Sequence, residues 1–141
     1  MLPADTDDRI IAILMQDADL TYKEMAKKLK LNESTVRKRV LALRRKGIIR
    51  RFLADVDAVK LGYKSPAMLA VDVDPSKIME IGRKLVKIPE ARIVFSTSGE
   101  NDFHVIVWAK DRESLTKVVS HVAGMEGVAR VTPNFVVDKL K

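Results

Sequence analysis

The sequence predicts an α+β chain, with an N-terminal three-helix unit of the winged helix-turn-helix type linked to a C-terminal ferredoxin-like βαββαβ domain. Three observations predict it. The first third carries short apolar stripes at helical spacing, interrupted by polar turns. From Ser65 onward, strand-like and helix-like periods alternate along the chain. Residues 88–94 (IPEARIV) align with residues 125–131 (MEGVARV) at an offset of 37, and each segment ends a helix and opens a strand.

Composition narrows the class. At 141 residues with 47% hydrophobic side chains, the chain can bury one core or two small ones. It has no Cys, and its two His lie apart at His104 and His121, so neither disulfides nor a metal site is expected. No apolar run approaches the ~20 residues of a membrane span, and the opening MLPADTDDR is acidic, unlike a signal peptide. A cytoplasmic protein with no membrane partner is expected. One Gln, three Asn and abundant Lys and Arg would suit a thermophile.

The first helix is expected to be capped by Asp5 or Thr6, with Asp7 and Asp8 near the positive end of its dipole. Ile10, Ile11, Ile13 and Leu14 give its stripe, which ends near Asp17. Thr21 and Glu24 have capping-box spacing for a second helix that buries Tyr22, Met25, Ala26 and Leu29. Asn32 opens a third, with Val36, Val40 and Leu43 facing inward and Gly47 closing it.

That stripe fixes the opposite face. At about 100° per residue, Ser34, Lys38, Leu41 and Arg45 point away from the core, flanked by Thr35, Arg37, Arg39 and Ala42. Residues 1–51 hold 13 Lys and Arg against 7 Asp and Glu, whereas residues 65–141 hold 11 against 10. An ordinary solvated helix face is the bland alternative. An excess confined to one short segment instead suggests a surface that docks phosphates, with hydroxyls and guanidinium groups placed to read base edges.

In the second half, Ala67–Val73 reads as a strand, and Asp74-Pro75-Ser76 starts a helix carrying Ile78, Ile81, Leu85 and Val86. Ala91–Thr97 and Phe103–Ala109 are strands around a turn, Glu113–Ala123 is a helix, and a last strand runs from Val128 to about Val137. Two helices cover one face of such a sheet. Val71, Val73, Val105, Val107, Ile93, Phe95, Val131 and Phe135 are more apolar strand residues than one face needs, so a second copy is expected to stack on the other. Trp108 is expected in the core.

Residues 21–63 resemble the Lrp/AsnC family of leucine-responsive, feast/famine regulators. The resemblance rests on a helix-turn-helix followed by Val36, Arg39, Val40, Leu43, Gly47, Ile48 and Ile49. It continues through Phe52, Ala54, Val56, Asp57, Leu61 and Gly62, which are similar to the family's linker strand. There are two departures: Lys30 stands where the family's turn usually has Gly, and Asp19 where an Arg often precedes the second helix. The βαββαβ half is similar to the family's assembly and amino-acid-sensing domain.

The resemblance divides the chain into a DNA-binding unit (residues 1–51), a linker strand or hinge (52–64) and an assembly and effector domain (65–141). It implies a sequence-specific transcriptional regulator of double-stranded DNA, not an enzyme and without a cofactor. Self-association to a dimer, an octamer or another assembly of dimers is implied, with an amino acid as effector. Ser34, Thr35, Arg37, Lys38 and Arg39 would contact DNA from the helix, and Arg45, Arg50 and Arg51 would hold phosphates.

The stretch Ser98, Gly99, Glu100, Asn101 and Asp102 has turn chemistry, so a plain hairpin loop is the bland reading. It also resembles the family's G-x-x-D effector loop, in which Asp102 would accept the ligand ammonium while Ser98 and the amides around Gly99 would meet its carboxylate. Neither His has a nucleophile or ligand pattern beside it. Two other classes remain open: an effector-independent architectural DNA-binding protein, and an enzyme like the siroheme decarboxylases, which share this architecture. The basic third helix argues against the latter.

Overall fold

The computed structural model describes residues 4–140, with side chains described from Thr6 onward. The chain divides into two compact units, residues 1–55 and 56–141.

The first unit holds α1 (Ala4–Gln16), α2 (Tyr22–Leu29) and α3 (Glu33–Arg45). They meet on Ile10, Met25, Ala26, Leu29, Val36, Val40 and Leu43, all buried. The Thr21–Glu24 capping box forms in full: Thr21 Oγ1 accepts from the Glu24 amide, and Glu24 accepts from the Thr21 amide at 2.7 Å. Asn32 is the N-cap of α3, but its side chain makes no capping hydrogen bond.

The cap expected at Asp5 or Thr6 is corrected. The first helix begins at Ala4, so both residues lie inside it, and Thr6 is buried at 2% exposure.

Lys30 ends α2 in the left-handed region, at φ 55° and ψ 45°, and the Leu31 amide reaches back to the Ala26 carbonyl at 2.9 Å. That geometry favours Gly, and a side chain there costs about 1 kcal/mol. Lys30→Gly should therefore stabilise the protein by about 0.5–1 kcal/mol, read as a higher urea midpoint. Gly47 (φ 71°) closes α3, with the Ile48 amide donating to the Leu43 carbonyl.

No strand occurs among the described residues of the first unit, and the linker strand expected within 52–64 is absent. Residues 51–57 are irregular and residues 58–62 form a turn that Asp57 caps through the Lys60 amide. A strand needs a paired strand to satisfy its backbone, and among the described residues no strand of the sheet pairs with this segment.

The second unit runs β1 (Ser65–Val73), a short 3-10 turn (Pro75–Lys77), α4 (Ile78–Leu85), β2 (Ala91–Ser96), β3 (Phe103–Ala109), α5 (Arg112–Ala123) and β4 (Val128–Phe135). The sheet order is β2-β3-β1-β4, and every neighbouring pair is antiparallel. This is the expected ferredoxin-like topology. The offset of 37 recurs in three dimensions: Ala91 and Val128 each open an edge strand. The last strand stops at Phe135 rather than Val137, although the Val136 amide still donates to the Pro66 carbonyl.

Helices α4 and α5 cover one sheet face. Leu69, Ile81, Leu85, Val105, Val107 and Val122 are wholly buried there, each contributing about 1.5–3 kcal/mol. The other face is open, and its composition corrects the expectation. Val71, Val73, Val105 and Val107 belong to the helix-covered core, with Val131 packed against it. Phe135, in register with Ala67 and under the Arg112 guanidinium, lies on the helix side. The open face instead carries Met68, Ala70, Ile106 and Trp108, together with the expected Ile93 and Phe95. Trp108 is only half-buried, stacked at 5.6 Å on Tyr63 and at 5.0 Å under Arg92, so it is not core.

Candidate functional site

On α3 the stripe Val36–Val40–Leu43 is buried, which turns Ser34, Arg37, Lys38, Leu41 and Arg45 outward. Thr35 and Ala42 are half-buried at the sides of that face. The Arg37 guanidinium lies 5.4 Å over the Tyr22 ring and 4.0 Å from Glu33, which tethers it loosely beside α2 while leaving it exposed. Lys38 is fully in solvent reach. At the C-terminal end of α3 and just beyond it, Arg44, Arg45 and Arg50 surround a shallow cleft of about 410 Å³ with Leu41 and Ile49. Arg44 also stacks at 5.9 Å on Phe52, and Arg51 is exposed. Cations here complement the negative end of the α3 dipole and leave spare donors for anions.

Arg39 departs from this pattern. Its guanidinium meets the Asp7 carboxylate at 2.7 Å, and both side chains are largely covered, at 25% and 32% exposure. The pair crosses from α3 to α1, so Arg39 fixes the angle of α3 rather than reaching outward. Arg39→Ala should cost about 1–2 kcal/mol of stability, because it strands a partly covered carboxylate. It should leave the salt dependence of DNA binding unaltered, whereas loss of a true phosphate contact lowers that slope by about one. Urea unfolding and binding titrations at several salt concentrations test both.

The loop between β2 and β3 is closed by the Thr97 amide donating to the Asp102 carbonyl at 2.9 Å, and by Thr97 Oγ1 donating to the Asn101 carbonyl. Asp102 is already engaged: its amide donates to the Val71 carbonyl, and its Oδ2 accepts from the Val73 amide at 2.8 Å. It thereby extends the β1–β3 hydrogen bonding past the last register pair, Val71 and Phe103. Asn101 Nδ2 donates to Asp72 Oδ1 at 2.7 Å, and Arg130 Nε donates to Asp72 Oδ2 at 2.8 Å.

The Asn101 hydrogen bond, assisted by the hydrogen bond and charge of Arg130, holds the Asp72 carboxyl below its ordinary 3.8 despite some desolvation. The stability this lends is present above that ordinary value and lost as pH falls through the lowered one. Ser98, Gly99 and Glu100 are exposed at the loop tip, and a Cβ on Gly99 would meet nothing within 4 Å. Asp72 and Arg130 were missed from sequence. The signal was one acid among the alternate positions Met68, Ala70 and Asp72 of an apolar strand.

His104 is a half-buried strand residue on the open face, paired in register with Ala70 and Phe95, and its Nδ1 is buried with no hydrogen-bond partner among the described residues. His121 is exposed on α5. Among the described residues no group of His, Cys, Asp or Glu is arranged to hold a metal ion, and no helix is long and apolar enough to cross a membrane.

Comparison with known proteins follows the same division of the chain. Residues 4–50 match the family described as winged helix-turn-helix DNA-binding, and residues 66–141 match the Lrp/AsnC ligand binding domain. The HTH-type transcriptional regulator LrpA of Pyrococcus horikoshii is 37% identical over 138 residues, spanning 97% of this chain and 98% of that protein. The HTH-type transcriptional regulator FL11 of Pyrococcus furiosus is 37% identical over 124 residues, spanning 88% of this chain and 82% of its own. Among solved structures, an L-Met complex of a Neisseria meningitidis transcriptional regulator superposes with a TM-score of 0.83 at 22% identity, covering 96% and 90% of the two chains. AsnC of E. coli superposes at 0.79 with 21% identity, covering 100% and 96%. At these identities the two structures speak to the fold alone.

Proposed function

Because the chain belongs to the Lrp/AsnC family of transcriptional regulators, we propose that it binds double-stranded DNA sequence-specifically as a dimer or larger assembly, under control of an amino acid. The exposed α3 face carries this reading: Ser34, Thr35, Arg37 and Lys38 stand together on a helix whose orientation Arg39 locks. Arg45, Arg50 and Arg51 hold the flanking phosphates. Residues 1–51 serve DNA, 52–64 act as a hinge, and 65–141 assemble and sense. The protein works in the cytoplasm and is not an enzyme.

Assembly is supported by the open sheet face, whose apolar centre of Met68, Ile93, Phe95, Ile106 and Trp108 fits a self-complementary contact. Two copies of α3 would then meet successive major grooves, about one helical turn (~34 Å) or a multiple apart.

The effector reading places a free amino acid at Ser98, Gly99, Glu100, Asn101 and Asp102. With Asp102 Oδ2 engaged by the Val73 amide, its Oδ1 and the Glu100 carboxylate are the acceptors for the ammonium. The chain's likeness to the Lrp/AsnC ligand binding domain supports this. Titration calorimetry with the twenty amino acids tests it: one of them should bind, and Asp102→Ala should weaken it by about ten-fold or more. No heat from any of them would remove the effector.

Footprinting tests the regulatory reading. Discrete protected segments one turn apart are expected, whereas uniform protection of operator and random DNA would favour an architectural protein. Tetrapyrrole binding without DNA affinity would favour the decarboxylase-like class.

A further inference from the structure

An open groove of about 540 Å³ lies on the helix side of the second unit, away from the loop at 97–102. Its floor is Ile88, Pro89, Val118 and Met125, of which Ile88 and Val118 are buried. This volume falls within the ~300–1,000 Å³ of small-molecule sites. Of the lysines at the rim, Lys84 is held by Glu80 at 2.7 Å and Lys117 by Glu113 at 2.9 Å. The side chains of Lys87 and Glu90 have no ion-pair or hydrogen-bond partner among the described residues, although both line the groove. The backbone presenting them is tied down: the Lys87 amide donates to the Lys84 carbonyl, Ile88 to Leu85, and the Trp108 amide to the Glu90 carbonyl. An unpaired cation and an unpaired carboxylate, three residues apart on a fixed turn above an apolar floor, complement a small zwitterion with an apolar side chain.

We propose that this groove is a second small-molecule site, taking a free α-amino acid with an apolar side chain. Lys87 meets the carboxylate, with His121 beside it as a further donor; Glu90 accepts from the ammonium, and the side chain lies on Ile88, Val118 and Met125. The proposal draws only its ligand class from the reading of the chain as an amino-acid-responsive regulator, and nothing from the loop at 98–102.

Equilibrium dialysis of the full-length protein against radiolabelled L-leucine and L-methionine tests it. Binding should include a component that Lys87→Ala and Glu90→Gln each weaken by about ten-fold or more, and that Asp102→Ala leaves in place. 4-Methylpentanoate, which is leucine without its ammonium, and isoamylamine, which is leucine without its carboxylate, should compete poorly. Binding that is lost with Asp102→Ala and indifferent to Lys87→Ala and Glu90→Gln would overturn the groove and leave the loop standing. Binding that responds only to the groove variants would support the groove and remove the loop. Absence of binding would overturn both. A fall in self-association with Lys87→Ala, without any change in amino-acid binding, would make the groove a contact between copies and overturn the proposal.

Discussion

Ile106→Glu should break the proposed sheet-to-sheet assembly into single chains of 15.8 kDa while leaving each one folded. Ile106 sits at the centre of the open face, in register with Met68 on β1 and Ile93 on β2. Within one chain its side chain lies opposite the helix-covered core, so a carboxylate there can remain hydrated. In a sheet-to-sheet dimer two such carboxylates would be buried close to apolar partners, at a cost of several kcal/mol. In the proposed assembly, loss of the dimer would remove the second α3 from the DNA. The tethered second contact contributes an effective concentration worth on the order of 100-fold in affinity, so operator binding should fall by at least that much. Sedimentation velocity gives the mass, circular dichroism the fold and a binding titration the affinity. A variant that stays associated would place the interface elsewhere.

Lys38→Ala and Arg37→Ala should each weaken operator binding by about 1–3 kcal/mol, with most of the loss at particular base pairs. Both side chains stand on the exposed α3 face, and neither is committed to a strong internal pair: Lys38 is exposed, and Arg37 is 4.0 Å from Glu33. Replacing Arg45, Arg50 or Arg51 should act differently. Each should weaken operator and random DNA alike and lower the salt slope by about one. Titrations on both kinds of DNA at three salt concentrations separate the two groups. If the helix pair and the flanking arginines behaved the same, α3 would be only a polyanion-binding surface.

Helix placement was readable because local chemistry decides it. The Thr21–Glu24 capping box, the Asn32 start and Gly47 act within a turn or two of themselves. So does Lys30, whose left-handed backbone follows from closing α2 so soon before α3 opens. The domain topology was readable for a different reason: two helices and four short strands in this order have few ways to cover one sheet.

Which strand residues face the helices was less legible. In β1 and β3 both alternating phases are apolar, so Val105 and Val107 could not be told from Ile106 and Trp108 until register with the helices was fixed. Tertiary partners were invisible for the same reason. Nothing local marks Arg39 as Asp7's partner 32 residues away, or Asp102 as an acceptor for the Val73 amide. The outward orientation of Ser34, Arg37, Lys38 and Arg45 on α3 was therefore legible, whereas the pairing of Arg39 with Asp7 was not. The turn at 98–102 between two strands was legible, but its anchoring through Asp72, Asn101 and Arg130 was not.

The central claim is that paired copies of α3 read a particular DNA sequence, and selection from a pool of random duplexes by the full-length protein at fixed salt tests it most directly. The selected pool should converge on a pseudo-palindrome whose half-sites lie one helical turn or a multiple apart, and Lys38→Ala should relax its preference at particular positions. A pool that stays random through successive rounds, with affinity tracking only salt, would contradict it.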